Sequence, residues 1–205
     1  MVNMLEDADK LFRFFGLSFG SGETIRQVSL DTKVPYTTLS RLVKRFEKQG
    51  LVKLKTVGKS VVCSLNFKNT MVKQHLILAE ESYKDFFISK KLLIKKVANV
   101  IGENKSSSFS VLLFGSFAAG KEQKSSDLDL LFIADSKSVV KAVISEFKSL
   151  EQIYDIEINS LVFTKKQFGE MLRASEENVG RQVLKNHVVL YNPELFWNVV
   201  FEVLA

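Results

Sequence analysis

Apolar and polar positions alternate at two different periods along the chain, and the period changes mark its organisation. In the first fifty residues the period is helical. Leu11, Phe12, Phe14, Phe15 and Leu17 follow the acidic stretch Glu6-Asp7-Ala8-Asp9. Carboxylates suit a helix N-terminus, so a first helix is predicted from about Asp7 to Phe15, closed by Gly16. Ser18 to Gly22 reads as a loop. A second helix is predicted to start at Glu23, with Ile25 and Val28 inward, and to end near Lys33 before Pro35. Tyr36-Thr37-Thr38 opens a third, in which Leu39, Leu42, Val43 and Phe46 share a face and Gly50 is the stop. The period then falls to two. Leu51 to Leu54 and Ser60 to Leu65 alternate around Val57-Gly58-Lys59, which predicts a hairpin with a basic tip.

From Asn69 to about Gly102 the helical period returns, with Tyr83, Phe86, Phe87, Leu93, Ile94, Val97, Val100 and Ile101 at spacings of three and four. One broken helix or two are expected, with Lys90, Lys91, Lys95 and Lys96 on a solvated face and room for a homodimer contact. Asn104 to Ser108 is a polar linker. The apolar run Val111 to Phe114 reads as a buried strand ending at Gly115-Ser116. A small loop containing Gly120 follows, and a second apolar strand runs to Ile133. A helix over Ser136 to Leu150, a strand over Ile153 to Phe163 and a Thr164-capped helix through Leu172 come next. The polar segment Arg173 to Asn178 leads into a helix with Val179, Val183 and Leu184. A short strand from His187 to Tyr191 precedes an amphipathic tail after Pro193, with Phe196 and Trp197. Strands alternating with helices place the second part of the chain among α/β or α+β folds.

The strand ending at Ile133 opens with Ser126-Asp127-Leu128-Asp129, which is odd for a core strand because Asp is disfavoured there. Alternation puts Asp127 and Asp129 on one face, roughly 7 Å apart along the strand. Two such carboxylates repel unless a cation lies between them, and hard oxygen ligands favour Mg²⁺ or Mn²⁺.

Charge sharpens the division. The net charge is +6. Residues 1–70 hold 12 Lys and Arg against 6 Asp and Glu, whereas residues 71–205 hold 17 of each. Arg41, Lys44, Arg45, Lys48, Lys53, Lys55 and Lys59 lie within nineteen positions that contain one acidic residue, Glu47. A local basic cluster suggests a polyanion partner. At 46% apolar and 25% charged residues the composition is that of a folded domain. A single cysteine, Cys63, excludes an internal disulfide framework. No apolar run is long enough for a membrane span and no signal peptide is evident, so a cytoplasmic protein with no membrane partner is expected.

Three helices followed by a two-stranded wing, over residues 5–67, resemble the winged helix-turn-helix domain, most tellingly in TTLSRLVKRFEKQGLVKLKTVGKSVVCSL. The resemblance implies DNA binding, with the third helix in the major groove and the wing on the backbone or minor groove. Thr37, Thr38, Ser40, Arg41, Lys44 and Arg45 would then face the DNA from the helix, and Lys55 and Lys59 from the wing. Over about residues 108–191, GSFAAGKEQKSSDLDLLF resembles the signature of the DNA polymerase β-like nucleotidyltransferase superfamily. There a Gly-Ser, a helix and two metal-binding aspartates on the next strand hold a nucleoside triphosphate. The resemblance implies that Gly115 and Ser116 bind the nucleotide, that Asp127 and Asp129 hold Mg²⁺ (or Mn²⁺), and that a nucleoside monophosphate passes to an acceptor with release of pyrophosphate.

That superfamily places a third carboxylate on the neighbouring strand. In IYDIEINSLVFTKKQF, period-two alternation puts Asp155, Glu157 and Asn159 on one face. Counting back from the Thr164 cap, minimal nucleotidyltransferases carry their aspartate where Asn159 stands. The order of domains, the Glu-x-Asn pair, the Thr-x-x-x-Phe spacing and ENVGRQVLKNHVVLYN also resemble a group of prokaryotic predicted regulators carrying both domains. In that group Glu-x-Asn is common, which favours Glu157 as the third catalytic and metal-ligating carboxylate; Asn159 cannot act as a base. His75, His187 and Cys63 read as packing residues. Lys121 and Lys124 read as a solvated loop tip, and nothing in the spacing requires Arg181 or Lys185 to face a nucleotide.

The expected fold class is α+β: a winged-helix domain over residues 1–68, a helical linker over 69–105, and a nucleotidyltransferase-type domain with a mixed sheet over 106–205. Two functions fit it. One is a Mg-dependent nucleotidyltransferase with an unknown acceptor, a protein or a small molecule. The other is a DNA-binding transcriptional regulator whose degenerate transferase domain only binds nucleotide. A winged helix that holds another protein is the third reading of the N-terminal part.

Overall fold

The computed structural model describes residues 2–19, 21–123 and 125–204. The chain forms two compact units, one ending at Ser82 and the other spanning Tyr83–Leu204.

The first unit begins with α1 (Val2–Leu17), then β1 (Glu23–Thr24), α2 (Ile25–Thr32), α3 (Tyr36–Lys48), β2 (Val52–Val57) and β3 (Ser60–Leu65). Helix α4 (Thr70–Ser89) follows. Three helices and a hairpin therefore occur in the expected order, with two differences at the boundaries. Helix α1 starts at Val2 rather than Asp7, since nothing in the preceding residues breaks a helix, and the acidic stretch lies inside it. Glu23 does not start α2. It pairs with Cys63 in an antiparallel strand, so β1 joins the hairpin in a sheet of order β1-β3-β2. The helix begins only where Thr24 can cap it, its side chain accepting from Gln27 N at 3.1 Å. Gly22 permits this docking, because a Cβ there would meet Val62 Cγ1 at 2.8 Å.

The core of this unit joins Leu11, Phe12 and Phe15 of α1 to Leu39, Leu42, Val43 and Phe46 of α3, all buried as the periodicity requires. His75 of α4 stacks on Phe12 with centroids 4.5 Å apart and planes 7° from parallel. Desolvation by this packing lowers its pKa, against a smaller opposing pull from Asp9. A buried ion pair links Arg13 of α1 to Glu80 of α4.

The second unit contains α5 (Leu92–Glu103), β4 (Phe109–Phe114), α6 (Gly115–Ala119) and β5 (Leu128–Ala134). A 3-10 turn over Lys137–Val140 leads into α7 (Lys141–Tyr154), followed by β6 (Ile158–Thr164), α8 (Lys165–Arg173), α9 (Val179–Lys185), β7 (Val188–Tyr191) and α10 (Pro193–Leu204). The four strands form one mixed sheet of order β6-β5-β4-β7, in which β4 is antiparallel to both neighbours and β5 is parallel to β6. Val111, Leu113, Leu130 and Phe132 pack with Ile94, Val97 and Ile101 of α5 and with Val143 and Phe147 of α7. Leu112, Leu131 and Ile133 alternate with that set and are equally buried. Helices α8 and α10 contact β5 and β4. Both faces of the two central strands are thus covered, which explains their unbroken apolar runs.

The largest departure from the expected elements lies between α7 and β6. Strand was expected from Ile153. Instead α7 continues to Tyr154 and ends on Asp155, which adopts the left-handed conformation at φ 48°, a conformation Asp tolerates better than most residues. Strand β6 begins only at Ile158, whose N–H donates to the Glu151 carboxylate at 2.9 Å. By contrast, Thr164 caps α8 as expected, in a reciprocal capping box with Gln167. None of the helices of the described residues is long and apolar enough to cross a membrane.

Candidate active site

The site forms where β4 turns into α6 and where β5 begins. Phe114, the last residue of β4, pairs with Asp129 of β5, so the chain leaving β4 turns directly over that aspartate. Gly115 makes the turn at φ +69°. A Cβ at Gly115 would collide with the Asp129 carboxylate, whose Cγ would lie 3.2 Å away. Two independent constraints therefore require glycine: the left-handed backbone and the approach of a carboxylate. Ser116, the second residue of α6, is half-buried. Its carbonyl accepts from Lys121 N at 2.9 Å, which folds the chain back after Gly120. Lys121 is exposed, and Lys124 lies outside the described residues.

Asp127 lies one residue before β5 and is exposed, while Asp129 in the strand is half-buried between the buried Leu128 and Leu130. Ser126 secures the approach by bonding Gln123 twice, its Oγ accepting from Gln123 N at 2.8 Å and its N–H donating to Gln123 O at 3.0 Å. Leu128 N donates to Glu157 O at 2.8 Å, which starts the parallel pairing with β6. In that register Asp129 stands beside Asn159. The Asn159 amide donates to Asp127 Oδ2 at 3.4 Å. Burial raises the pKa of Asp129. The Asn159 amide opposes that rise, and the neighbouring Asp127 charge adds to it.

The structure thus brings Gly115, Asp127, Asp129 and Asn159 together. Glu157 is exposed and precedes β6, contributing its backbone carbonyl to the start of β5. Asp155 is exposed at the end of α7, outside any strand, so strand alternation does not align it with Asn159. Among the described residues no group of three or more His, Cys, Asp or Glu is gathered closely enough to hold a metal ion. Two carboxylates and an amide make up the cluster.

Sequence spacing had no means of revealing the support behind α6. Lys91, between α4 and α5, forms an ion pair with Glu122 in the loop that leads to Asp127, from 31 positions away. Its ammonium also lies over the rings of Phe87 and Phe117 at 5.3 and 5.7 Å. Nothing at short range marks Lys91 among its neighbouring lysines. Lys185 pairs with Glu177 at 2.8 Å and Arg181 donates to Leu172 O at 3.3 Å, so both brace the α8–α9 connection. His187 is buried, its Nδ1 2.7 Å from Val183 O.

In the first unit Thr37, Arg41, Lys44 and Arg45 are exposed on α3, whereas Thr38 and Ser40 are half-buried. Lys55 and Lys59 are exposed on the hairpin. A groove of 630 Å³ lies between α2, the start of α3 and β3, lined by Arg26, Leu30, Tyr36, Lys59 and Val61 among others. Cys63 is buried beneath the sheet with its thiol donating to Glu23 O.

A mixed four-stranded sheet carrying a Gly-Ser turn beside two aspartates is consistent with an α+β domain of nucleotidyltransferase type. Residues 95–194 match the family described as Polymerase beta, Nucleotidyltransferase, which supports that superfamily for the second unit and nucleotidyl transfer at the level of the family. Comparison with curated proteins and with solved structures gives no significant match.

Proposed function

We propose that the second unit is a Mg²⁺-dependent nucleotidyltransferase that transfers a nucleoside monophosphate from a triphosphate to an acceptor, and that the first unit is a winged helix that binds DNA. The observation that supports the first part is the packing of the Gly115 turn against Asp129, beside Asp127. The donor set fits a hard divalent cation: two neighbouring carboxylates, the more buried of which has its pKa raised by desolvation first and by the Asp127 charge besides, would leave ligand positions for phosphate oxygens. Asp127 and Asp129 would hold the ion. When bound, it would neutralise phosphate charge and stabilise the in-line displacement.

The rest of the chemistry belongs to the chain. The Gly115 turn lets the backbone lie against Asp129, and the Ser116 hydroxyl can donate to the phosphates. The acceptor oxygen bonds to the α-phosphorus as the bond to pyrophosphate breaks. The acceptor proton passes to a base, for which Glu157 at the entry to β6 is the candidate. Labelled nucleoside triphosphates with Mg²⁺ and cell extract should mark an acceptor. If an Asp127→Ala, Asp129→Ala double variant marks the same species equally well, the reading is wrong.

A second reading has its own support. Asn159, not a carboxylate, stands beside Asp129 and ties itself to Asp127. An amide can restrain both aspartates and still accept no proton. A regulator that binds nucleotide without turning it over would look like this, and it predicts Mg²⁺-dependent nucleotide binding with no labelled acceptor.

DNA binding is supported by three helices followed by a hairpin and by the exposed Arg41, Lys44 and Arg45 on α3. Each phosphate contact should contribute to a steep loss of affinity with salt. Neutralising those three residues should weaken DNA binding and flatten its salt dependence, and unchanged affinity would remove this part of the proposal.

A further inference from the structure

The loop that delivers Asp127 carries a charge anchored from outside the nucleotide motif. Glu122 lies five residues before Asp127 and two after Gly120. One of its carboxylate oxygens meets the Lys91 ammonium, and the other is buried without a hydrogen-bond partner. A carboxylate held in that position is costly unless its cation stays in place. Lys91 occupies the N-cap position of α5 with an extended backbone, and its ammonium rests over Phe87 and Phe117. Phe117 is the residue after Ser116. The same ammonium therefore lies over a ring of α6 and pairs with Glu122, which follows Gly120.

We infer that Lys91 is a positioning residue for the nucleotide site: through Glu122 and Phe117 it fixes α6 and the loop in the register that sets Ser116 and Asp127 against the triphosphate. This rests on the nucleotide-binding reading of the second unit. Its physical logic is that of an outer-layer partner, which orients groups that touch the ligand without touching it. Glu122 titrates below the usual glutamate range chiefly because of its hydrogen bond from Lys91, in keeping with a pair that stays charged at neutral pH. Removing the lysine leaves Glu122 without its cation while one of its oxygens is still shut off from solvent. The carboxylate then has to swing out to water and take its loop with it.

The test uses the full-length protein and two readouts. One is the affinity for a trinitrophenyl derivative of ATP with Mg²⁺. The other is amide hydrogen exchange of the segment between Phe117 and Asp127 without nucleotide. Lys91→Met and Glu122→Gln should each weaken binding by roughly tenfold, the scale of lost outer-layer partners, and should speed exchange in that segment and leave the sheet unchanged. The charge-swapped Lys91→Glu, Glu122→Lys variant should recover most of both. If Lys91→Met weakens binding while Glu122→Gln and loop exchange stay as in the wild type, Lys91 touches phosphate directly and the positioning role is overturned. Unchanged exchange in both single variants overturns it as well. A wild type that fails to bind the probe, with the loop still loosened by Lys91→Met, counts against the nucleotide reading and in favour of the structural link.

Discussion

Replacing Gly115 with alanine puts the geometry of the site to a quantitative test. Two costs add at this position. The first is the left-handed backbone at φ +69°, which costs an L-residue about 1–2 kcal/mol. The second is the methyl group itself, which would overlap the Asp129 carboxylate held by pairing on both sides of β5. Overpacking of this kind costs about 1–3 kcal/mol. The sum is about 2–5 kcal/mol. Gly120 supplies the control, since it shares the backbone at φ +65° but has nothing within 4 Å of its Cβ position. Gly120→Ala should therefore cost only the backbone part, about 1–2 kcal/mol. Urea unfolding followed by the fluorescence of Trp197 reads this directly, because the chain has one tryptophan and it is fully buried in the second unit. Asp129→Ala added to Gly115→Ala should relieve part of the damage, leaving a coupling of roughly 1–2 kcal/mol between the sites. The reasoning fails if Gly115→Ala is no more costly than Gly120→Ala, or if the two sites prove additive.

Three further outcomes are expected. Thr164→Ala removes the half of the α8 capping box in which the Thr164 hydroxyl accepts from Gln167 N, and leaves the bond from Thr164 N to the Gln167 side chain; it should lower the stability of the second unit by about 1 kcal/mol in the same assay, and no change would mean the helix start is held by packing and the remaining bond. Burial pushes the Cys63 thiol up to about 11, so Ellman's reagent at pH 8 should leave it unmodified in the native protein and react once urea is added. Rapid native labelling would contradict that burial. His75 has a folded pKa lowered by desolvation, so between that value and its ordinary one the unfolded chain binds more protons. The first unit should therefore lose stability as pH falls below about 6.5, measured by thermal unfolding. A His75→Phe variant should lose that part of the pH dependence, and an identical pH profile would refute the assignment.

The parts of the fold that were legible in the sequence are those where one local rule decides. Leu39, Leu42, Val43 and Phe46 are buried at helical spacing because α3 has a single apolar face. Thr164 marks the start of α8 because its side chain and that of Gln167 satisfy each other's backbone. The misplaced boundaries are those where a distant partner decides. Glu23 reads as a helix start, yet β3 claims its backbone and leaves the cap to Thr24. Ion pairs across 31 positions, such as Lys91 with Glu122, leave no local trace at all.

The same distinction governs the third position of the site. Alternation from Asn159 back to Asp155 holds only while the chain is a strand, and β6 begins at Ile158. Pairing with β5 therefore fixes Asn159 beside Asp129 but leaves Glu157 outside the ladder, its side chain exposed and its carbonyl tied to Leu128. Register settles which residue faces the aspartates, and the residue it selects cannot accept a proton. Any proton acceptor for a transfer reaction would then have to come from outside that register, and Glu157 is the proposed one. Asn159→Asp separates the two proposed functions on this point. In a transferase using Glu157, a third negative charge beside Asp127 should change metal affinity and leave the base in place. In a nucleotide-binding regulator it should install the missing carboxylate, so that labelling of an acceptor appears where the wild type shows none.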